Sequence, residues 1–249
     1  MAMLTTRDVE YWVGTTRMIG FLAAPTAQVA APGVVLLHDA FGLSPDFKLL
    51  TEKFAELGYA VFAADLWGNR RTPRTGEEIG ALIGGLTSDR ADWMGRVVAA
   101  HEKALEQPEF SGAIVTVGYC FGGSSALEYL RLGGQTDGIV TIHAGLDLLG
   151  AEWSARTAQS PVIVLTGADD PMATPEQWQR LKGALEAASI PWEFDLYSGA
   201  RHAFSNPKAN NVGMPHVAAY QHRAATRSWA RTIEFLKEVL QTATSEGKK

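Results

Sequence analysis

The sequence predicts an α/β protein: a doubly wound, mostly parallel sheet with helices on both faces and an antiparallel hairpin at its N-terminal edge. Short runs that are apolar at every position recur along the chain, which marks strands buried on both faces. Longer amphipathic segments with helical spacing alternate with them, the order expected of a parallel sheet. Composition agrees, since 249 residues, 46% hydrophobic and 20% charged, lie near the globular average. A chain of that length buries a core without disulfides or a structural metal.

Taken in order, Val9-Tyr11-Val13 and Met18 to Leu22 alternate as an edge hairpin. Val34–Leu37 follows Pro32-Gly33 and reads as a buried strand. A helix is expected from about Asp46 to Leu57, closed by Gly58, and then a strand from Tyr59 to Ala64. Glu77 to Gln107 reads as one or two helices, broken near Gly84-Gly85. Ala113–Val117 is a strand, Ser124–Leu132 a helix closed by Gly133-Gly134, and Gly138–Ile142 and Val162–Thr166 are strands. Pro175–Ala188 is helical, Pro191–Tyr197 a strand, and His216 to Gln241 the last helix. No repeat or linker interrupts this pattern, so residues 1–249 read as a single domain whose polar tail, about 243–249, is frayed.

Charge and cysteine content exclude several classes. With 22 basic against 27 acidic residues and a net charge of −5, there is no electrostatic footprint for nucleic acid or an anionic membrane. No apolar run approaches the roughly 20 residues that span a bilayer, and Met1–Glu10 has no apolar leader core. A cytoplasmic protein, monomeric by default, is the expectation. One cysteine excludes an internal disulfide and a cysteine-built zinc site. His216 and His222 are six apart and share no helix face, so no metal site is expected.

Ligands of doubly wound sheets bind at the carboxyl ends of the strands, which directs attention to six loops. The loop after Val117 reads Gly118-Tyr119-Cys120-Phe121-Gly122-Gly123 and opens a helix. That is the strand–turn–helix setting of a nucleophile elbow, with Cys where Ser is commoner. Glycines flank the nucleophile because side chains there would collide where strand and helix meet. The helix N-terminus favours thiolate, and the Phe121 N–H would face a developing oxyanion. The plainer alternative is a small buried hydrophobe, as most lone cysteines are.

The loop after Thr166 carries Gly167-Ala168-Asp169-Asp170-Pro171, and that after Tyr197 carries Gly199-Ala200-Arg201-His202-Ala203-Phe204. Nucleophile, acid and histidine thus follow one another in the order of an elbow triad. His202 would move the thiol proton and Asp170 would fix its tautomer. The following proline favours Asp170 over the rival Asp169, which would instead cap the turn. Alone, His202 would read as a loop histidine bonded to backbone. His38 and His143, also at strand ends, could support the site from behind, but the favoured reading is of structural histidines with satisfied hydrogen bonds.

These motifs, with His38-Asp39-Ala40-Phe41-Gly42-Leu43 and Trp229 to Leu236, resemble the dienelactone hydrolase family of α/β-hydrolases from about Tyr11 to Leu240. The resemblance implies an α/β-hydrolase fold and a Cys120–His202–Asp170 triad that cleaves an ester or lactone through a thioester. It also implies an oxyanion hole from the Phe121 and Ala40 N–H groups, and no cofactor. Two positions depart from the family. Asp39 stands where Glu usually partners the resting thiol. Asn206 stands where members acting on dienelactone place a carboxylate-binding Arg, so dienelactone itself is in doubt as substrate. A second family arginine falls among Arg70, Arg71 and Arg74, which are candidate substrate ligands. Phe41, Trp67, Tyr119, Phe121 and Phe204 lie on or beside the same loops and are candidates for an apolar acyl pocket, the plainer alternative for each being that it packs its loop onto the sheet. Other classes consistent with the sequence are a ligand-binding protein that has kept the fold and a redox-active single-cysteine protein.

Overall fold

The computed structural model describes residues 3–27, 29–153 and 159–246, with the side chains of Val212 and of 241–246 left aside. Of the expected frayed tail, 243–246 instead continue the last helix, and the final three residues lie outside the described residues. Two compact units divide the chain, Met1–Thr116 and Val117–Lys249.

The first unit opens with the expected hairpin, β1 (Leu4–Val13) and β2 (Thr16–Pro25), paired so that Tyr11 faces Met18. Val9 and Tyr11 are buried while Asp8, Glu10 and Trp12 are exposed, the alternation of a strand with one wet face. β3 (Ala31–Leu37) and β4 (Ala60–Ala64) are parallel, and β2 joins β4 antiparallel. Val34–Leu37 and all of β4 are fully buried, which explains their unbroken apolar runs. Between them, α1 (Pro45–Ala55) starts at Ser44, whose hydroxyl accepts the Phe47 N–H, with Pro45 in the first turn.

The long amphipathic segment forms two helices, α2 (Gly76–Ser88) and α3 (Arg90–Leu105). Their break falls at Asp89 rather than at the glycines. Gly85 remains in register and accepts the Asp89 N–H, while the Asp89 carboxylate caps α3 by accepting the Asp92 N–H. Glycine weakens a helix by only about 1 kcal/mol, whereas a capping aspartate starts a new one.

Strand β5 (Phe110–Tyr119) carries the chain across the unit boundary. In the second unit, α4 (Phe121–Arg131) is buried along nearly its whole length. Then β6 (Gly138–Ile142), β7 (Val162–Gly167) and β8 (Trp192–Tyr197) pair in parallel in that order, with α5 (Pro175–Ala187) before β8. The last helix, α6 (His222–Glu246), begins six residues later than the sequence pattern suggests. The backbone of 217–219 is occupied elsewhere: Val217 C=O accepts from the His202 N–H, and Ala219 N–H donates to the His202 C=O. Among the described residues, no helix is long and apolar enough to cross a membrane.

Candidate active site

The second unit gathers Cys120, His202 and Asp170 into one hydrogen-bonded line. Cys120 sits at the junction of β5 and α4 with φ 53° and ψ −116°, a conformation that non-glycine residues rarely adopt. Two backbone bonds hold it there, from its own N–H to Ile142 C=O and from the Ser124 N–H to its C=O. The sharp turn explains the first glycine of the motif. A Cβ at Gly118 would lie 2.1 Å from the Gly122 carbonyl oxygen and 2.6 Å from the Gly123 nitrogen. The single cysteine is a free, partly exposed thiol.

His202 Nε2 lies 3.0 Å from Cys120 Sγ, and its Nδ1 lies 2.9 Å from Asp170 Oδ2. Both His202 and Asp170 are buried, at 5% and 3% exposure, so solvent screens little of their interaction. Burial works against a charged ring here. The Cys120 sulfur and the Asp170 carboxylate overcome it from either side and push His202 up to about 10.

The acid loop and the histidine loop meet at close range. A Cβ at Gly167 would fall 2.3 Å from the Ala200 carbonyl oxygen, and the Asp169 N–H donates to that same oxygen. Asp169 itself is exposed, whereas Asp170 turns inward. The capping role foreseen for Asp169 belongs to Asp170 as well, whose Oδ1 accepts the Met172 N–H at 2.8 Å. A further brace links elbow and acid loop: buried Ser124 donates to Gly145 C=O, and the next residue's N–H, that of Leu146, donates to Met172 C=O. Nothing in the sequence marked Ser124, because a serine in the first turn of a helix has many ordinary uses.

His143 was expected to be a satisfied structural histidine, and only half of that holds. Its Nε2 bonds Ser205 Oγ at 2.8 Å, but its buried Nδ1 has no hydrogen-bond partner. His38, in the first unit, is satisfied on both sides. Its Nε2 accepts the Leu66 N–H, so its Nδ1–H donates to Asp39 C=O.

The remaining candidates divide. In the first unit, Asp39 Oδ1 accepts the Phe41 N–H in a tight turn, and Ala40 C=O accepts from the Trp67 indole. Trp67 is buried with its ring against His38, while Phe41 is half-buried. Arg70 is not available as a substrate clamp. Its guanidinium donates to Ile19 C=O and Gly20 C=O and pairs with Asp8. Beneath it, fully buried Asp65 accepts the N–H groups of Ile19, Trp67, Gly68 and Arg70, which fixes the turn that presents the arginine backwards. Arg71 and Arg74 are exposed, and Arg71 lines a groove of about 510 Å3 with Thr72, Pro73, Glu78, Ala81 and Leu82. In the second unit, Phe204 is fully buried against Tyr197 and His143, and so packs the histidine loop instead of lining an open pocket. Tyr119 is buried beside His143. Asn206 Oδ1 accepts the Lys208 N–H and so ends a turn. Among the described residues, no group of three His, Cys, Asp or Glu could hold a metal.

A strained cysteine at a strand–helix junction, with an imidazole and a buried carboxylate in line behind it, is the arrangement that the α/β-hydrolase fold is built to present. The family model of the dienelactone hydrolase family matches residues 18–240, and the chain belongs to that family. It is similar to a solved dienelactone hydrolase-like promiscuous phosphotriesterase, P91 from metagenomic libraries, at 33% identity and a TM-score of 0.89, covering 96% of this chain and 99% of that one. The dienelactone hydrolase of Anabaena variabilis shares the fold at 20% identity and a TM-score of 0.64, over 90% and 95% of the two chains. Among curated relatives, hydrolase tropI of Talaromyces stipitatus is 25% identical over 218 residues, 83% of this chain and 82% of that protein.

Proposed function

We propose that the protein hydrolyses a carboxylic ester or lactone through a thioester on Cys120. The observation that carries this reading is the unbroken line Sγ–Nε2 at 3.0 Å and Nδ1–Oδ2 at 2.9 Å, built on a strained elbow. His202, pushed up to about 10 by the Cys120 sulfur and the Asp170 carboxylate, is the base that takes the thiol proton, and the thiolate so formed is the nucleophilic form.

The thiolate attacks the acyl carbon, forming the C–S bond and placing negative charge on the carbonyl oxygen. The resemblance to the family assigns that charge to the Phe121 and Ala40 N–H groups. The intermediate collapses by breaking the C–O bond, and the departing alkoxide takes the proton from His202 Nε2. His202, now neutral, takes a proton from water as the hydroxyl attacks the thioester. The C–S bond breaks, the acid leaves, and the thiolate–imidazolium pair is restored. Asp170 holds Nδ1–H throughout. No cofactor enters this sequence. The resemblance to the family assigns Asp39 the role of partner to the resting thiol. With Arg70 engaged elsewhere and Asn206 ending a turn, Arg71 and Arg74 are the remaining candidates for gripping a substrate carboxylate.

Wild type and Cys120→Ala compared on a dienelactone, an activated aryl ester, an uncharged lactone and a phosphotriester test the reading. The phosphotriester belongs in the panel because P91, 33% identical, is described as a promiscuous phosphotriesterase. Turnover of an ester or lactone by wild type alone is expected. A fully active Cys120→Ala enzyme overturns it.

A further inference from the structure

His143 is held in an arrangement that works against stability. Its backbone has φ 41°, in the left-handed region that only a few per cent of non-glycine residues enter. Its side chain is 2% exposed, and its Nδ1 is buried without a hydrogen-bond partner, a rare and unfavourable condition for a polar atom. Such departures concentrate where function requires them.

The contacts show what is gained in exchange. The His143 ring meets the His202 ring edge to face, with centroids 5.4 Å apart and planes at 65°. On its other sides it packs against Phe204 at 5.3 Å and Tyr119 at 5.9 Å. Its Nε2 reaches Ser205 Oγ, three residues beyond His202 on the same loop, and its backbone N–H is anchored on Leu165 C=O of β7. The residue before it, Ile142, accepts the Cys120 N–H. One strand end therefore holds the elbow through Ile142 and the histidine loop through His143. Burial, and then the positive charge of His202, keep His143 neutral well below its ordinary range. A protonated ring in that place would repel the imidazolium it supports.

We propose that His143, tied to Ser205, is a positioning residue that holds the His202 imidazole in the rotamer spanning Cys120 and Asp170. The inference rests on the reading of His202 as the proton-transfer group, and it explains why a strained, half-satisfied histidine stands where an apolar ring would pack at less expense.

Three measurements on His143→Asn and Ser205→Ala test it: kcat and KM on an activated aryl ester, the pH profile of Cys120 alkylation by iodoacetamide, and Tm. Asparagine tolerates a positive φ, so His143→Asn removes the ring with the least backbone strain. Ser205→Ala removes the hydrogen bond and leaves the ring. For His143→Asn, kcat should fall on the order of 10- to 100-fold, the range reached when a catalytic group is misplaced by about 1 Å. KM should stay within about threefold, the alkylation profile should shift, and Tm should hold or rise. Ser205→Ala should show a smaller loss of the same kind. A His143→Asn enzyme with wild-type kcat and an unshifted alkylation profile overturns the proposal, as does a loss of rate in both variants that only tracks a fall in Tm. Alkylation needs no ester turnover. An inactive wild type whose alkylation profile still shifts in His143→Asn would therefore sink the hydrolase reading and leave the positioning role standing.

Discussion

Replacing Asp170 by asparagine keeps the outline of the side chain and reverses what one of its atoms offers. Asp170 Oδ1 accepts the Met172 N–H at 2.8 Å, and Oδ2 faces His202 Nδ1 at 2.9 Å. In Asp170→Asn the amide oxygen stays on the Met172 N–H, because the opposite orientation would set two donors face to face. The NH2 group then points at Nδ1 and makes it an acceptor. The neutral ring must carry its proton on Nε2, aimed at Cys120 Sγ 3.0 Å away. His202 in that tautomer has no lone pair for the thiol proton, and the carboxylate that helped to hold the ring charged is gone. The equivalent tautomer reversal in a serine triad costs about 10^4 in kcat, or roughly 5 kcal/mol of barrier, and a loss on that order is expected here. KM should move by no more than about threefold, since substrate binding is untouched. Loss of one charge-assisted bond lowers stability by about 1.5–3 kcal/mol, so the variant remains folded at 25 °C. Steady-state hydrolysis of an activated aryl ester, with circular dichroism as the folding control, makes the measurement. A folded Asp170→Asn protein with kcat within about tenfold of wild type would refute this account of the triad.

Other expectations follow from single sites. Gly118→Ala places a methyl group 2.1 Å from the Gly122 carbonyl oxygen, backbone against backbone with nothing able to yield. Destabilisation above about 4 kcal/mol is expected, read as a fall in Tm of about 10 °C or more, and a Tm within about 2 °C of wild type would contradict it. In Cys120→Ala the sulfur that helps to raise His202 is removed, so its ring should titrate below about 10 by NMR; an unchanged titration would show that the sulfur does not supply that charge. His101 is buried, with Nδ1 on Val97 C=O and Nε2 on the Thr116 hydroxyl, and burial lowers it from 6.5 to about 4. Its contribution to stability is therefore complete above about pH 6.5 and lost as pH falls toward 4, at about 1.4 kcal/mol per pH unit and about 3 kcal/mol in all. Urea unfolding across that range should show the slope, and His101→Gln should flatten it; an equal slope in both proteins would assign the acid sensitivity to other groups.

The parts of the fold and site that could be read from the sequence are those where local chemistry admits one solution. Only glycine fits at position 118 once the chain turns so sharply through Cys120, so the elbow announces itself in the spacing of its glycines. The unbroken apolar runs Val34–Leu37 of β3 and Ala60–Ala64 of β4 report burial on both faces. What escaped the sequence depends on partners distant along the chain. Arg70 reads from the sequence as a candidate substrate ligand, yet Ile19, Gly20 and Asp8, about 50 residues earlier or more, claim its guanidinium. The final helix starts at His222 and not His216 because the backbone of 217–219 is bonded to His202. The two-helix reading of Glu77 to Gln107 misplaced its break for a local reason, the weight given to two glycines over a capping aspartate. His143 and Ser205 are 62 residues apart, and neither residue type signals the other.

The central claim is that acyl transfer passes through the Cys120 sulfur. Acid quenching during turnover of an activated aryl ester, followed by intact-mass and peptide analysis, tests it most directly. The account predicts a single added acyl group on the peptide containing Cys120, labile to hydroxylamine and absent from an inactive Cys120→Ala variant. Rapid turnover with no trapped adduct, sustained by Cys120→Ala at the wild-type rate, would contradict it.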